Sequence, residues 1–448
     1  MGLKKLAKDT ALLTASALVM RCISLAYQVW LAGRIGAAGV GLWQLVLSVH
    51  VLAATLAISG IRFTTTRLVA EELDGGGADR AVGRCLGYAA FFGSAACLIL
   101  CLWAEPVGFL WVRDARTVRS LRALAFSLPL ISLSCVLNGW FIATGRAWKS
   151  AAVQVAEQVC GIVCVMLLLS RAPEGDLERC CAAIAWGHTA ADGVSLLLVA
   201  ALFLLDRRGV RAAAPEAPEH LTQRMLRIAL PLALSAYART GLTTLENLLV
   251  PQKLRASGLS ADRALSGYGT ITGMVFPIIG FPSCLLSALA ELSVPELTAA
   301  QVRGQTQRIG RTVSRLMRWT LGFSLACALL LLGCADMLGM LIYHSPEAGK
   351  YIRLLAPVVP VMYLDIVTDG CLKGLGQMLW SMGFNIAEAV IGVLLVLTVL
   401  PARGLDGYVA MLYCCEIFNF AVSFLRLRRV CDLRLLPPLQ RRRARAIR

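Results

Sequence analysis

Twelve long apolar stretches dominate the sequence, and each is long enough to cross a lipid bilayer as a helix. They lie at about residues 10–34, 40–61, 85–104, 121–144, 150–170, 181–205, 228–250, 266–290, 319–342, 354–376, 380–400 and 405–427. A spanning helix needs roughly 20 apolar residues because the hydrocarbon core is about 30 Å thick. Only 16% of the 448 residues are charged, whereas a soluble domain carries about a quarter. The sequence therefore predicts an all-α polytopic membrane protein with twelve transmembrane helices.

Basic residues are distributed unevenly between alternate connections of these stretches. If the N-terminus is cytoplasmic, 28 of the 44 Lys and Arg residues lie on that side and 13 lie on the other. Membrane proteins keep an excess of Lys and Arg in their cytoplasmic loops. We therefore predict a multi-pass protein of the cytoplasmic membrane with both termini in the cytoplasm. The net charge of +17 then favours contact with anionic lipids at the cytoplasmic face, and we expect no nucleic-acid partner.

An internal repeat divides the chain into two halves. The sequence from Asn138 to Val165 matches that from Asp369 to Val396 without a gap, so the fourth and fifth stretches recur as the tenth and eleventh. With six spans each, the two halves have the same orientation in the membrane and form two pseudo-symmetric lobes across a cleft. The predicted segments are an N-terminal lobe at 1–209, a cytoplasmic linker at 210–224, a C-terminal lobe at 225–430 and a basic cytoplasmic tail at 431–448.

Two arginines lie inside apolar stretches. Arg21 is near the middle of the first stretch, and Arg239 is near the middle of the seventh. A charge at the bilayer centre is unfavourable by about 2.5–3.5 kcal/mol, so each arginine requires a partner. Two guanidinium groups could bind the oxygens of a pyrophosphate, or each could neutralise a buried acid such as Glu246 or Glu291. We place all four residues in the predicted substrate cavity and leave the two interpretations open.

Four further acids are candidates for binding a coupling ion. Glu157 and Glu388 occupy equivalent positions of the repeat, and Asp365 and Asp369 lie one turn apart in the tenth stretch. Coupling to Na⁺ or H⁺ would need such a carboxylate, whereas the membrane potential alone could also drive transport. Lys373 lies one turn further along the helix, and we expect it to pair with Asp369.

Patterns typical of enzymes are missing from the sequence. It has no G-x-x-x-x-G-K-[ST] loop and no H-E-x-x-H, and its four histidines lie away from cysteines at ligand spacing. We therefore expect no ATP hydrolysis, no catalytic residue, no metal site and no cofactor. Several of the sixteen cysteines lie inside apolar stretches, where they behave as small hydrophobic residues, so we expect no disulfide framework.

Several segments resemble the stage V sporulation protein B family of polysaccharide and lipid-linked oligosaccharide flippases. The segments are Gly39–Leu45, Glu246–Pro251, Ala264–Met274, Ala288–Leu297, Ala348–Pro357 and Tyr363–Gly376. This family belongs to the multidrug/oligosaccharidyl-lipid/polysaccharide exporter superfamily. The resemblance implies two six-helix lobes that form a V around a central cavity. A basic residue often follows the position of Tyr27 in this family, whereas this chain has Gln28 there.

The resemblance also implies a function. We expect a flippase, not an enzyme, that moves undecaprenyl-pyrophosphate-linked peptidoglycan or polysaccharide precursors to the outer leaflet, for spore cortex synthesis. An alternative is a cation-coupled exporter of the multidrug type from the same superfamily. The two differ in the cavity, because a pyrophosphate requires arginines there and a cationic drug requires carboxylates. A third hypothesis is a scaffold without transport activity that recruits cell-wall synthases.

Overall fold

The computed structural model describes residues 3–72, 77–173, 175–207 and 221–431. Within these ranges the chain is helical and contains no β-strand. Helices suit a lipid environment because they satisfy every backbone hydrogen bond within one segment. This part of the chain confirms the predicted all-α class.

The first part of the chain forms nine helices before a π-helical turn at Thr270–Val275. They are α1 (Leu3–Ile58), α2 (Ile61–Glu72), α3 (Ala78–Pro106), α4 (Val118–Ala125), α5 (Ser127–Ala143), α6 (Ala147–Leu169), α7 (Leu177–Arg207), α8 (Leu221–Ala256) and α9 (Ala261–Gly269). α1 contains the first two predicted stretches, which Gly36 separates with a non-helical φ of 70°. Glycine tolerates this backbone conformation because it has no Cβ.

Seven further helices follow. They are α10 (Phe276–Gly280), α11 (Ser283–Val302), α12 (Thr306–Tyr343), α13 (Pro346–Leu355), α14 (Val359–Gly374), α15 (Met378–Thr398) and α16 (Leu400–Val430). In the described ranges, nine helices are long and apolar enough to span a membrane, or ten if Ala261–Gly280 and Ser283–Val302 form one span. The first two predicted spans lie in the single helix α1, and α8, which contains the seventh, is not among the nine. The number of twelve spans therefore stays a prediction.

Contacts between helices group the chain into two compact units. One unit is Tyr27–Gly273, and the other comprises Met1–Ala26 and Met274–Arg448. These bounds differ from those of the predicted lobes, which remain a prediction. Residues 210–220 of the predicted linker and 432–448 of the predicted tail lie outside the described residues, whereas 221–224 begin α8.

A hydrophobic core of the Tyr27–Gly273 unit is made by α2, α3, α5, α6, α7 and the start of α8. Trp140 of α5 packs edge-on against Phe203 of α7, with their ring centroids 5.0 Å apart. At the polar ends of α2 and α8, Arg224 donates hydrogen bonds to Glu71 and Glu72 at 2.7 and 2.9 Å. The unit is thus held by an apolar core and by ion pairs at one end.

In the other unit, glycines bring α11 and α14 together. A Cβ added to Gly370 would lie 2.7 Å from Ala290 Cβ, and one added to Gly374 would lie 3.1 Å from Val294 Cα. Such distances leave no room for a side chain. The spacing of four residues between these glycines therefore marks a helix contact, as small residues commonly do in membranes.

Candidate functional site

The hairpin α5–α6 has the same turn as the hairpin α14–α15, which shows that the sequence repeat is also a structural repeat. Gly145 and Gly376 occupy the equivalent turn position with φ values of 72° and 68°. Three equivalent pairs of backbone hydrogen bonds close the two turns. They are Thr144 N to Trp140 O and Leu375 N to Cys371 O, both 3.0 Å; Gly145 N to Ile142 O and Gly376 N to Lys373 O, both 3.1 Å; and Arg146 N to Phe141 O and Gln377 N to Leu372 O, both 2.8 Å.

A polar cluster lies beside the first hairpin, inside the Tyr27–Gly273 unit. Ser150 donates a hydrogen bond to Asn138 at 2.6 Å, and Ser195 of α7 donates one to Glu157 at 2.5 Å. A cavity of about 210 Å³ opens between these side chains. We call this the first cluster; it comprises Ser134, Asn138, Ser150, Gln154, Glu157, Asp192 and Ser195. Arg62 of α2 lines the same cavity and brings one positive charge to two carboxylates.

A second cluster lies beside the second hairpin, inside the other unit. Ser381 donates a hydrogen bond to Asp369, as Ser150 does to Asn138. Lys373 pairs with Asp369 at 2.5 Å, which confirms the ion pair expected from their spacing. We call this the second cluster; it comprises Asp365, Asp369, Ser381, Asn385, Glu388, Glu416 and Asn419.

Asn419 of α16 connects the side chains of the second cluster. Its Nδ2 lies 3.2 Å from an oxygen of Asp365 and 3.3 Å from the side-chain oxygen of Asn385. One oxygen each of Asp365 and Asn419 is buried without a hydrogen-bond donor. Glu388 and Glu416 lie close enough to Asp365 for their charges to repel one another. This cluster therefore has buried oxygen atoms and excess negative charge that a cation would satisfy.

The two clusters are made of equivalent residues. At the repeat separation of 231 residues, the equivalent pairs are Ser134 and Asp365, Asn138 and Asp369, Ser150 and Ser381, Gln154 and Asn385, and Glu157 and Glu388. On α7 and α16, at a separation of 224 residues, Asp192 is equivalent to Glu416 and Ser195 to Asn419. Two neutral positions of the first cluster are thus aspartates in the second. The second cluster has four carboxylates where the first has two.

The predicted cavity arginines lie on different units. Arg21 belongs to the unit of 1–26 and 274–448, where its Nη2 lies 3.5 Å from the position that a Cβ on Gly280 would occupy. Arg239 lies on α8 in the Tyr27–Gly273 unit. Both side chains are exposed on the protein, and neither forms an ion pair with any residue of the described ranges.

The predicted acidic partners of these arginines are also without ion pairs. Glu246 is half-buried on α8, two turns from Arg239, and Glu291 is exposed on α11. Neither is paired with a basic residue in the part of the chain that the structure covers. Mutual neutralisation of Arg239 by Glu246 is therefore not seen in this structure.

Two acids of the clusters, Asp192 and Glu416, were not among the residues predicted from the sequence, and neither was Arg62. The signal was available as Asp192-x-x-Ser195 and Glu416-x-x-Asn419, each an acid followed one turn later by a polar residue in an apolar helix. No motif connects these pairs to the hairpins, because packing of α6 on α7 and of α15 on α16 brings them together. Among the described residues, no three His, Cys, Asp or Glu side chains are arranged to hold a metal ion.

Comparisons with known proteins agree with this fold. The family model described as "Polysaccharide biosynthesis protein" matches residues 6–258, and the model described as "MatE" matches residues 254–398. Stage V sporulation protein B of Bacillus subtilis (strain 168) is 26% identical over 414 residues, covering 89% of this chain and 79% of that protein. The resemblance noted in the sequence is therefore confirmed.

Solved structures of transporters have a similar fold. The lipid II flippase MurJ in an inward closed conformation has a TM-score of 0.70 at 11% identity, covering 93% of this chain and 87% of that one. An inward-facing multidrug resistance transporter of the MATE family has a TM-score of 0.68 at 17% identity, covering 92% and 95%. At these identities the similarity concerns the fold. The fold is that of a multi-pass membrane protein of this superfamily.

Proposed function

The chain belongs to the polysaccharide biosynthesis protein family, and from this premise we propose that it moves a lipid-linked saccharide across the cytoplasmic membrane. It is a membrane transporter of flippase type, and its relatives are not enzymes. The proposed substrates are undecaprenyl-pyrophosphate-linked precursors of peptidoglycan or polysaccharide. By analogy with the sporulation relative, we place the activity in synthesis of the spore cortex.

The observation that carries this proposal is the pair of unpaired arginines. Arg21 lies in an apolar stretch of α1 and Arg239 in one of α8, and no described carboxylate forms an ion pair with either of them. A charge in such a position is unfavourable unless a partner compensates it. The partner that suits two guanidinium groups is an anion with several oxygens, such as a pyrophosphate, because each guanidinium can donate two parallel hydrogen bonds.

We assign the coupling of transport to a cation at the second cluster. The buried oxygens of Asp365 and Asn419 that lack donors support a Na⁺ ion or a proton there. Asp369 is less suited because Lys373 and Ser381 already satisfy it. In the first cluster, Arg62 lines the same cavity as Glu157 and Asp192, so we expect that cluster to be structural.

The test is transport of a fluorescent pyrophosphate-linked lipid in vesicles, followed by accessibility to a membrane-impermeant quencher. Arg21→Lys and Arg239→Lys keep the charge but lose the two-pronged geometry, so we expect about ten- to a hundredfold weaker binding and a matching loss of transport. Arg227→Lys is the matched control, because Arg227 is an exposed arginine on the same helix as Arg239. Equal activity of all three variants would overturn the pyrophosphate assignment.

A second arm separates substrate binding from structural charge compensation. Arg239→Ala is compared with the double variant Arg239→Ala, Glu246→Gln at matched protein levels. If Arg239 only compensates Glu246, removal of the acid restores transport. We expect the double variant to remain inactive and to bind the lipid substrate as weakly as Arg239→Ala.

The excess of carboxylates in the second cluster favours a second candidate, export of hydrophobic cations coupled to an ion gradient. In the vesicle assay, this function predicts uptake of a fluorescent lipophilic cation that is lost in Glu416→Gln and kept in Arg239→Lys. The flippase proposal instead predicts transport of the pyrophosphate-linked lipid that is lost in Arg239→Lys. A scaffold that recruits cell-wall synthases predicts no transport of either compound.

A further inference from the structure

A groove of about 530 Å³ runs along the exposed face of α12, apart from the two clusters. We call it the α12 groove; its lining residues are Arg315, Arg318, Trp319, Gly322 and Phe323. Its size is that of a small-molecule site, for which 300–1,000 Å³ is usual. The groove lies entirely within the unit that contains 274–448.

The groove is formed by one stripe of the helix. Arg315, Trp319 and Phe323 lie four residues apart, and Arg318 and Gly322 do too, so all five share one side of α12. On the other side, Val313, Met317 and Thr320 are buried against the protein. A Cβ added to Gly322 would meet no atom within 4 Å, so this glycine leaves open space between the flanking side chains. The stripe therefore faces the surroundings of the protein and does not complete its core.

The groove lies where α12 changes from polar to apolar. The first turns of α12 carry Arg308, Arg311, Arg315 and Arg318, and the helix is apolar from Trp319 to Gly333. Arginine and tryptophan at such a boundary lie at the level of the lipid headgroups. Trp319 is 73% exposed on the protein surface. Exposure of so large an apolar side chain to water is unfavourable, so we expect lipid to cover it.

The arginines of the groove are available to an anion. Arg318 donates through Nε to the backbone oxygen of Ser314 at 3.2 Å, which orients its guanidinium and leaves its terminal nitrogens free to donate. Arg315 has no hydrogen-bond or ion-pair partner in the described ranges. Two guanidinium groups one turn apart match the oxygens of a phosphodiester, and the aromatic rings below them match the start of an acyl chain.

We propose that the α12 groove is a binding site for an anionic phospholipid. The phosphate lies between Arg315 and Arg318, and one acyl chain runs over Gly322 between Trp319 and Phe323. The site is independent of the proposed transport function, because the ligand is a lipid of the surrounding bilayer and none of the five residues belongs to either cluster.

Native mass spectrometry of the purified protein tests this proposal with phosphatidylglycerol and phosphatidylcholine as probes. We expect selective retention of phosphatidylglycerol, reduced about tenfold by Arg315→Gln or by Arg318→Gln, because each change removes a charge-assisted hydrogen bond to the phosphate. Gly322→Leu fills the groove where the acyl chain would lie and keeps both charges. We expect it to reduce retention of phosphatidylglycerol to a similar extent.

Arg303→Gln is the matched control, because Arg303 is an exposed arginine near the start of α12 that does not line the groove. We expect it to change retention less than twofold. All these positions are at the surface, so unchanged thermal midpoints will show that the variants fold. An equal loss in Arg303→Gln, or equal retention of both lipids by the unaltered protein, overturns the proposal. Stronger binding of a pyrophosphate-linked lipid, lost in the same variants, assigns the groove to the transport substrate instead.

Discussion

At the scale of single residues, the two clusters differ in charge at two equivalent positions. Ser134 and Asn138 of the first cluster correspond to Asp365 and Asp369 of the second. In both hairpins the serine of the second helix donates to the residue of the first, so the hydrogen bond is kept while the charge of its acceptor changes. The repeat in the sequence predicted the equivalence of Asn138 and Asp369 and of Ser150 and Ser381, because it depends on residues close together along the chain.

The equivalent hydrogen bonds predict different losses of stability. Ser381→Ala removes a donor to a carboxylate, which we expect to lower the free energy of unfolding by about 2 kcal/mol. Ser150→Ala removes a donor to a neutral amide, for which we expect about 1 kcal/mol. Thermal midpoints in one detergent give the ranking. Ser235→Ala is the control, because Ser235 is half-buried and bonds only within its own helix. An effect of Ser150→Ala no larger than that of the control contradicts this prediction.

The coupling proposal makes a prediction for Asp365. Asp365→Asn keeps the volume but removes the charge, so we expect transport to lose its dependence on an imposed Na⁺ or proton gradient, by at least about tenfold. Binding of the lipid substrate should remain within about twofold of that of the unaltered protein. Asp336→Asn is the control, because Asp336 is an exposed acid of the same unit paired with Arg353. Gradient dependence that persists in Asp365→Asn rules out Asp365 as the ion site.

At the scale of helices, glycine contacts decide which packing is possible. Gly41 of α1 lies directly against the backbone of Leu265 in α9, and Gly269 of α9 lies directly against that of Ala37. Each would clash with its neighbour's backbone if it had a Cβ. Backbone atoms cannot rotate away as a side chain can, so substitution here forces the helices apart.

We therefore expect Gly41→Ala to destabilise the protein by about 1–3 kcal/mol through overpacking. Gly87→Ala is the matched control: Gly87 lies in the interior of α3, where an added Cβ meets nothing within 4 Å. Alanine is favoured over glycine in a helix interior, so this control should be neutral or stabilising by up to about 1 kcal/mol. Denaturation midpoints of the two variants decide, and equal values would refute the contact between α1 and α9.

The apolar periodicity placed helices correctly but could not place every interruption. Each of the twelve predicted stretches overlaps one of the helices observed, because length and hydropathy are local properties. The sequence did not separate α4 from α5 within the fourth stretch, nor the π-helical turn at Thr270–Val275 from its neighbours. Such breaks depend on packing. The partners Asp192 and Glu416 were missed for the same reason, since contacts between helices far apart in sequence bring them into the clusters.

At the scale of the whole molecule, charge asymmetry predicts the orientation of the protein. With 28 basic residues on one side and 13 on the other, both termini should face the cytoplasm. Fusions of a phosphatase that is active only outside the cytoplasm should be inactive after residue 448 and between residues 207 and 221. A phosphatase fused after Ala172, in the connection between α6 and α7, should be active. Phosphatase activity at the C-terminus would falsify the twelve-span topology.

The repeat alone does not determine which helices pack together, and the lobes remain a prediction. The repeat fixes which helices are equivalent, but contacts between helices determine which of them pack together. α8 begins the second half of the sequence, yet its first turns, with Met225 and Ala229, belong to the core of the Tyr27–Gly273 unit. Arg224 strengthens this association through Glu71 and Glu72. Packing thus crosses the predicted boundary at 210–224.

The composition of α8 also constrains how the protein is made. A translocon releases a nascent helix into lipid according to the hydrophobicity of that helix. α8 contains Arg239, Glu246 and two prolines, and it is not among the helices that qualify as spans by themselves. We therefore expect α2 and α3, which are synthesised earlier and pack against α8, to help retain it in the bilayer. On the twelve-span prediction, α8 is the seventh span, and we expect it to enter the membrane only after α2 and α3 have formed the surface against which it packs.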